Sequence, residues 1–182
     1  MTLEQEAVRT LLRLVGEDPD RDGLVDTPRR VIKALHELTA GYGQDPADVL
    51  TTTFDVEYDG LVVVQRIPFH SLCEHHMLPF TGQATVGYIP TDRVVGLSKL
   101  ARLVDIYARR LQVQERMATQ IADALVEHVR PRAAGVIITG HHTCMSMRGI
   151  ERHAGMVTSS LRGELEHDRA LRDEFLALHT AP

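Results

Sequence analysis

The sequence predicts an α+β fold with antiparallel strand pairing, and three observations carry that expectation. Helical and strand patterns arrive in blocks: two helices, a group of strands, two helices, more strands, a last helix. Strands do not alternate singly with helices, as a doubly wound parallel sheet would require. The strand-like runs LVVVQRI, GQATVGYIP and VTSSLRG are β-branched or alternating and are bounded by Gly or Pro. With 182 residues, 43% of them hydrophobic and 25% charged, the chain can bury one substantial core.

Leu3, Val8, Leu11, Leu12 and Val15 share a helical face, which predicts a first helix ending near Gly16. The polar connector EDPDRDGLVDTPRR follows. Asp26 or Thr27 can cap a second helix with Pro28 in its first turn, and Val31, Ile32, Leu35 and Leu38 form its apolar stripe. Gly41 is expected to end it, and residues 43–60 read as irregular. LVVVQRI predicts a short strand, GQATVGYIP a second one closed by Pro90, and VVGL a third. Ser98 reads as the N-cap of a helix over SKLARLVDIYARR. VQERMATQIADALVEHV predicts another helix, stopped by Pro131. GVIITGHHTCMSMRGI reads as one or two strands, VTSSLRG as another, and DRALRDEFLAL as a helix capped by Asp168.

A net charge of −5 gives no general reason to expect nucleic acid or an anionic membrane as a partner. Repeats, low-complexity tracts and apolar runs of membrane-spanning length are missing from the sequence. The N-terminal stretch lacks a basic head followed by an apolar block, so a cytoplasmic location and reduced cysteines are expected. Lysine occurs twice, as Lys33 and Lys99, in a chain whose other basic residues are arginines. That usage draws attention to both positions.

The two cysteines carry the chemistry. Cys73 lies in SLCEHHML and Cys144 in GHHTCM, each beside a histidine pair. A cysteine is usually a small buried hydrophobe, yet His75, His76, His141 and His142 all fall within three residues of one. Cys73 and His76, at i and i+3, can reach one ion from a turn, and Cys144 is the natural third ligand, from a distant strand. Two thiolates and one imidazole leave a fourth position open, the arrangement of a catalytic zinc. Spacing alone does not settle which histidine binds and which moves protons.

GLSKLARLV places Ser98, Lys99 and Arg102 at a predicted helix start, where N–H groups and the dipole favour an anion. Neither a Walker loop nor GxGxxG is present. Arg30 and Lys33 share a helical face, and Arg148 follows Cys144 by four residues, so three basic clusters are available for one polyanion. Glu115, in RLQVQERM, would ordinarily be a solvated helix glutamate.

The stretches CEHHMLPFTGQATVGYIP, VVGLSKLARLVDIYARRLQVQERM and HHTCMSMRGI together resemble GTP cyclohydrolase I, and the likeness runs from EDPDRDGLVDTPRR to the final helix. The resemblance implies the tunnelling (T-) fold over residues 56–182, preceded by a helical segment over 1–55. It also implies a toroidal homodecamer of two pentamers with active sites at subunit interfaces. Each subunit would hold one zinc on Cys73, His76 and Cys144. His75, His142 and Ser98 would serve proton transfer, and Glu115, with Gln114 beside it, would anchor guanine. Lys99, Arg102 and Arg148, with Ser98, would meet the triphosphate, and Arg30 and Lys33 would reach it from a neighbouring subunit. The implied reaction opens the imidazole ring of GTP at C8, releases formate and yields 7,8-dihydroneopterin triphosphate, the first step towards folate and other pterins. Thr139 and Gly140 stand where the family commonly has an acidic residue and alanine, His141 is an added histidine, and Glu151–Met156 is atypical.

Overall fold

A computed structural model describes residues 2–55 and 57–181 and divides them between two compact units, Met1–Ala40 and Gly41–Pro182. The first unit is a helix pair. Helix α1 (Leu3–Leu14) starts at a capping box in which Thr2 and Gln5 exchange side-chain and backbone hydrogen bonds. Helix α2 (Thr27–Leu38) has Pro28 in its first turn, as expected. Asp26 precedes it without capping it, and its carboxylate meets Arg30 at 3.3 Å instead. The connector folds back on α1 through Arg9 and Asp20 at 2.7 Å.

The second unit begins with a 3₁₀ turn, Ala40–Gly43, so α2 ends at Leu38 with Thr39 as its C-cap and not at Gly41. Gly41 is needed for a different reason: a Cβ there would lie 2.1 Å from the Ile106 carbonyl oxygen. Residues 43–60 are more ordered than the sequence suggested. Asp45 caps helix α3 (Pro46–Leu50), and β1 (Thr53–Asp55) pairs with β4 (Arg93–Val95). Residues 41–55 therefore lie in the second unit, and Tyr88 holds β4 by accepting the Val95 N–H at 2.7 Å.

The main sheet has the order β5–β2–β3–β6–β7, antiparallel except where β5 (Leu111–Gln112) meets β2. Strand β2 (Val62–Cys73) is far longer than LVVVQRI alone predicts. A bulge between Val64 and Ile67, with Arg66 at φ 55°, absorbs one extra residue and lets the strand continue to Cys73. Pro68 is tolerated because β5 covers β2 only at Leu72 and Cys73, leaving the edge beside Pro68 without a ladder to break. Strands β3 (Pro79–Ile89), β6 (Ala133–His142) and β7 (Gly155–Gly163) complete the sheet.

Helices α4 (Leu97–Ala108) and α5 (Gln114–Val129) cover one face. Their Leu100, Leu103, Val104, Met117, Ile121 and Leu125 pack on Phe69, Phe80, Val86, Val136 and Ile138 in the larger core. Gly96, not Ser98, is the N-cap of α4, so Ser98 sits inside the first turn. On the other face, α7 (Glu164–His167) and α8 (Arg169–Thr180) bring Leu165 and Phe175 onto Ile89, Ala133 and Ile137. Asp168 caps α8 as expected, accepting from Ala170 and Leu171 N–H groups. TCMS is not a strand: Thr143–Ser146 forms a single helical turn, α6, so Cys144 comes from a turn and not from a strand. Among the described residues no helix is long and apolar enough to cross a membrane.

Candidate metal centre and active site

Strand β2 ends at Cys73, and the chain reverses into β3 within five residues. The Cys73 N–H donates to Leu78 O at 2.9 Å, Met77 N–H donates to Cys73 O at 2.8 Å, and Glu74 N–H donates to Gln112 O at 3.0 Å. Met77 makes the reversal in the left-handed region, at φ 54°, a conformation a non-glycine residue rarely adopts outside tightly determined turns. This turn brings His76 back over Cys73, with Nδ1 4.0 Å from Sγ. Pairing of Phe80 with His142 then delivers the end of β6 to the same place, and α6 adds Cys144 two residues later.

The donor atoms of Cys73, His76 and Cys144 all lie within 4.8 Å of one another. A tetrahedral zinc with sulfur and nitrogen ligands needs donor separations of about 3.5–3.8 Å, so small side-chain rotations close the group on one ion. Cys73 is buried, Cys144 half-buried and His76 exposed. Burial and the neighbouring Cys73 thiol push the Cys144 thiol up, while Arg148 pulls it down. A Cys144 thiol that resists ionisation by itself, crowded against Cys73, suits a cation that would stabilise its thiolate.

His142 is the second imidazole at this point. Its ring stacks on Phe80 with centroids 4.5 Å apart and planes 7° from parallel. Burial lowers its pKa, Glu115 counteracts that from the first turn of α5, and His141 adds to the lowering. Glu115 itself is exposed. Gln114, by contrast, is fully buried. Its Nε2 faces Ile138 O at 3.0 Å, Met156 O at 3.0 Å and Thr158 Oγ1 at 3.2 Å, and its Oε1 lies 3.0 Å from His142 Nε2.

The remaining candidates are placed as follows. His75 is exposed, edge-on to His76 with centroids 6.3 Å apart, and 3.9 Å from Glu74. Ser98, Lys99 and Arg102 lie along the first turns of α4, with Ser98 and Arg102 exposed. Among the described residues they make no hydrogen bond or ion pair to the cysteine–histidine group. Arg148 is exposed beyond α6 and close enough to act on Cys144. Arg30 and Lys33 are exposed on α2 in the first unit, each paired to a carboxylate of its own helix, Asp26 and Glu37. His141 alternates away from His142 and lines a cavity of about 470 Å³ with His70, Gln83 and Thr139 on the opposite sheet face.

Sequence reasoning missed one pair. Arg116 hydrogen-bonds Glu74, and also donates to Leu111 O at 3.2 Å and Gln112 Oε1 at 3.3 Å. The arginine holds the Glu74 carboxyl below the usual range and ties the turn carrying Cys73 and His76 to the start of α5. The signal was an acidic residue between two ligands and an arginine next to Glu115.

This fold and donor set define an α+β protein with a candidate metal centre at the junction of two strands and a helical turn. The family model for GTP cyclohydrolase I matches residues 4–180, and the chain belongs to that family. It is 49% identical to GTP cyclohydrolase 1 of Wolinella succinogenes over 94% of this chain and 93% of the relative. The Streptomyces coelicolor enzyme of the same name is 55% identical, with 96% and 88% covered. That of Gloeobacter violaceus is also 55% identical, with 95% and 82% covered.

Proposed function

We propose that this chain is a zinc-dependent hydrolase converting GTP and water to 7,8-dihydroneopterin triphosphate and formate, at the entry to tetrahydrofolate and pterin synthesis in the cytoplasm. The convergence of Cys73, His76 and Cys144 beside His142 and Glu115 carries the proposal. A bound zinc would supply Lewis-acid activation of water at neutral pH.

The chain's own residues do the rest. Glu115 accepts two hydrogen bonds from guanine N1–H and the exocyclic amino group, which fixes the base with its imidazole edge towards His142. Substrate of the wrong base would leave that carboxylate unpaired. His142 gives a proton to N7 as the C8–N bond opens, and burial, which lowers its pKa, favours release of that proton. His75 and Ser98 move protons in formate release, ribose opening, Amadori rearrangement and ring closure. Lys99, Arg102 and Arg148 bind the triphosphate, assisted by Ser98 and the N–H groups opening α4. Arg30 and Lys33 complete that site from a neighbouring subunit of a decamer with the tunnelling fold. That arrangement accounts for two exposed cations whose partners in this chain are single surface carboxylates.

The test follows formate release and, after oxidation, pterin fluorescence from GTP, with and without a strong chelator. Both signals, lost on chelation and restored by zinc, are expected. Formate without pterin would limit the reaction to ring opening. Neither signal from metal-loaded protein would overturn the assignment.

A further inference from the structure

Gln114 was expected beside Glu115 at the guanine, yet its side chain is committed elsewhere. The residue is fully buried, and its amide nitrogen is surrounded by three acceptors from β6 and β7: Ile138 O, Met156 O and Thr158 Oγ1. An NH₂ group has two hydrogens and no acceptor capacity, so it must face these oxygens, and the flipped amide would set oxygen against two carbonyls. The orientation of the amide therefore follows from the sheet. Its Oε1 can then only accept, and the group it meets at 3.0 Å is His142 Nε2.

We infer that Gln114 is a positioning residue that fixes His142 as the Nε2–H tautomer and leaves Nδ1 as the nitrogen that exchanges protons with the substrate. One further contact holds the same ring. Phe80 stacks on its face, which sets the ring plane, and Gln114 sets the rotation within that plane. Gly140 makes room for the arrangement: a Cβ there would fall 2.3 Å from Gln114 Oε1. Gly140 thus lies directly over the amide. An imidazole whose second nitrogen is held by a fixed acceptor has one working nitrogen in one place, the logic by which outer partners orient catalytic histidines.

The inference rests on the proposed role of His142 in turnover, and its test separates the two. Ring ¹⁵N shifts of His142 in the metal-loaded protein need no substrate and no variant. Protonated Nε2 with unprotonated Nδ1 in the neutral ring is expected, whereas protonated Nδ1 would overturn the assignment whatever the enzyme does. In kinetics, Gln114→Met should lower kcat about 10- to 100-fold, the range typical of lost orienting partners. KM for GTP and zinc content should stay near wild type. A rise in KM with kcat retained would instead make Gln114 a base-binding residue. In a double-mutant cycle, Gln114→Met should cost nothing further once His142→Ala is present. An equal loss in both backgrounds would show that Gln114 acts independently of His142.

Discussion

At the scale of single residues, the proposed mechanism separates ligands from proton carriers. Cys144→Ser should abolish metal retention and turnover together, read by metal analysis and formate release on the same preparation. Removing one of two thiolates from a three-donor set leaves too few ligands for a zinc site. His142→Ala should keep a full metal complement while turnover falls by about two to four orders of magnitude, the usual contribution of a positioned acid–base group. The thiols also fix a pH dependence. Burial and Cys73 raise the Cys144 pKa, so near neutrality this thiol carries a proton that the metal must displace. Metal affinity therefore falls as pH falls. Calorimetric titration of metal-free protein in buffers of different ionisation enthalpy should show the Cys144 proton, about one per zinc, released on binding at pH 7. Release of none would mean that the Cys144 thiol is already ionised without metal.

At the scale of elements, the sheet holds its two helical layers by different means. Helices α4 and α5 spread a stripe of fully buried residues over several strands, whereas α8 buries one ring completely, Phe175, with Leu171 and Leu178 partly buried beside it. Phe175 sits over Gly87 and Gly135, where a Cβ at either position would come within 2.7 Å of it. Phe175→Ala should destabilise the fold by about 3–5 kcal/mol, and Asp168→Ala, which removes the α8 cap, by about 1 kcal/mol, both measured by urea unfolding. The contrast also explains what was legible in advance. The stripes of α2, α4 and α5 and the Asp168 cap are local patterns, and a sequence displays them. The bulge that carries β2 to Cys73, the left-handed Met77 and the turn α6 under Cys144 arise from strand register and loop closure, which link residues distant in sequence. The three metal-ligand candidates were readable because cysteine is scarce and histidines cluster beside both copies. The Gln114 amide was not, since a buried glutamine and a solvated one look alike until the strands above it are in place.

At the scale of the whole molecule, the proposed interface site predicts that two chains serve each GTP. Lys33 and Arg30 belong to the Met1–Ala40 unit, and His142 and the metal candidates to Gly41–Pro182. If the proposed interface site is right, the two groups acting on one GTP come from different chains. Two variants make this measurable: His142→Ala, and Arg30→Ala combined with Lys33→Ala. Each should be nearly inactive alone at GTP concentrations near the wild-type KM. Dissociated, mixed in equal amounts and reassembled, they should recover about a quarter of wild-type sites, because in a closed ring each site draws one part from either neighbour at random. A site built within one chain would recover nothing, since every subunit in the mixture then carries a defect in its own site. Sedimentation of the mixture would confirm that subunits had exchanged, so an unchanged rate after exchange would place all the cations and the imidazole on one chain.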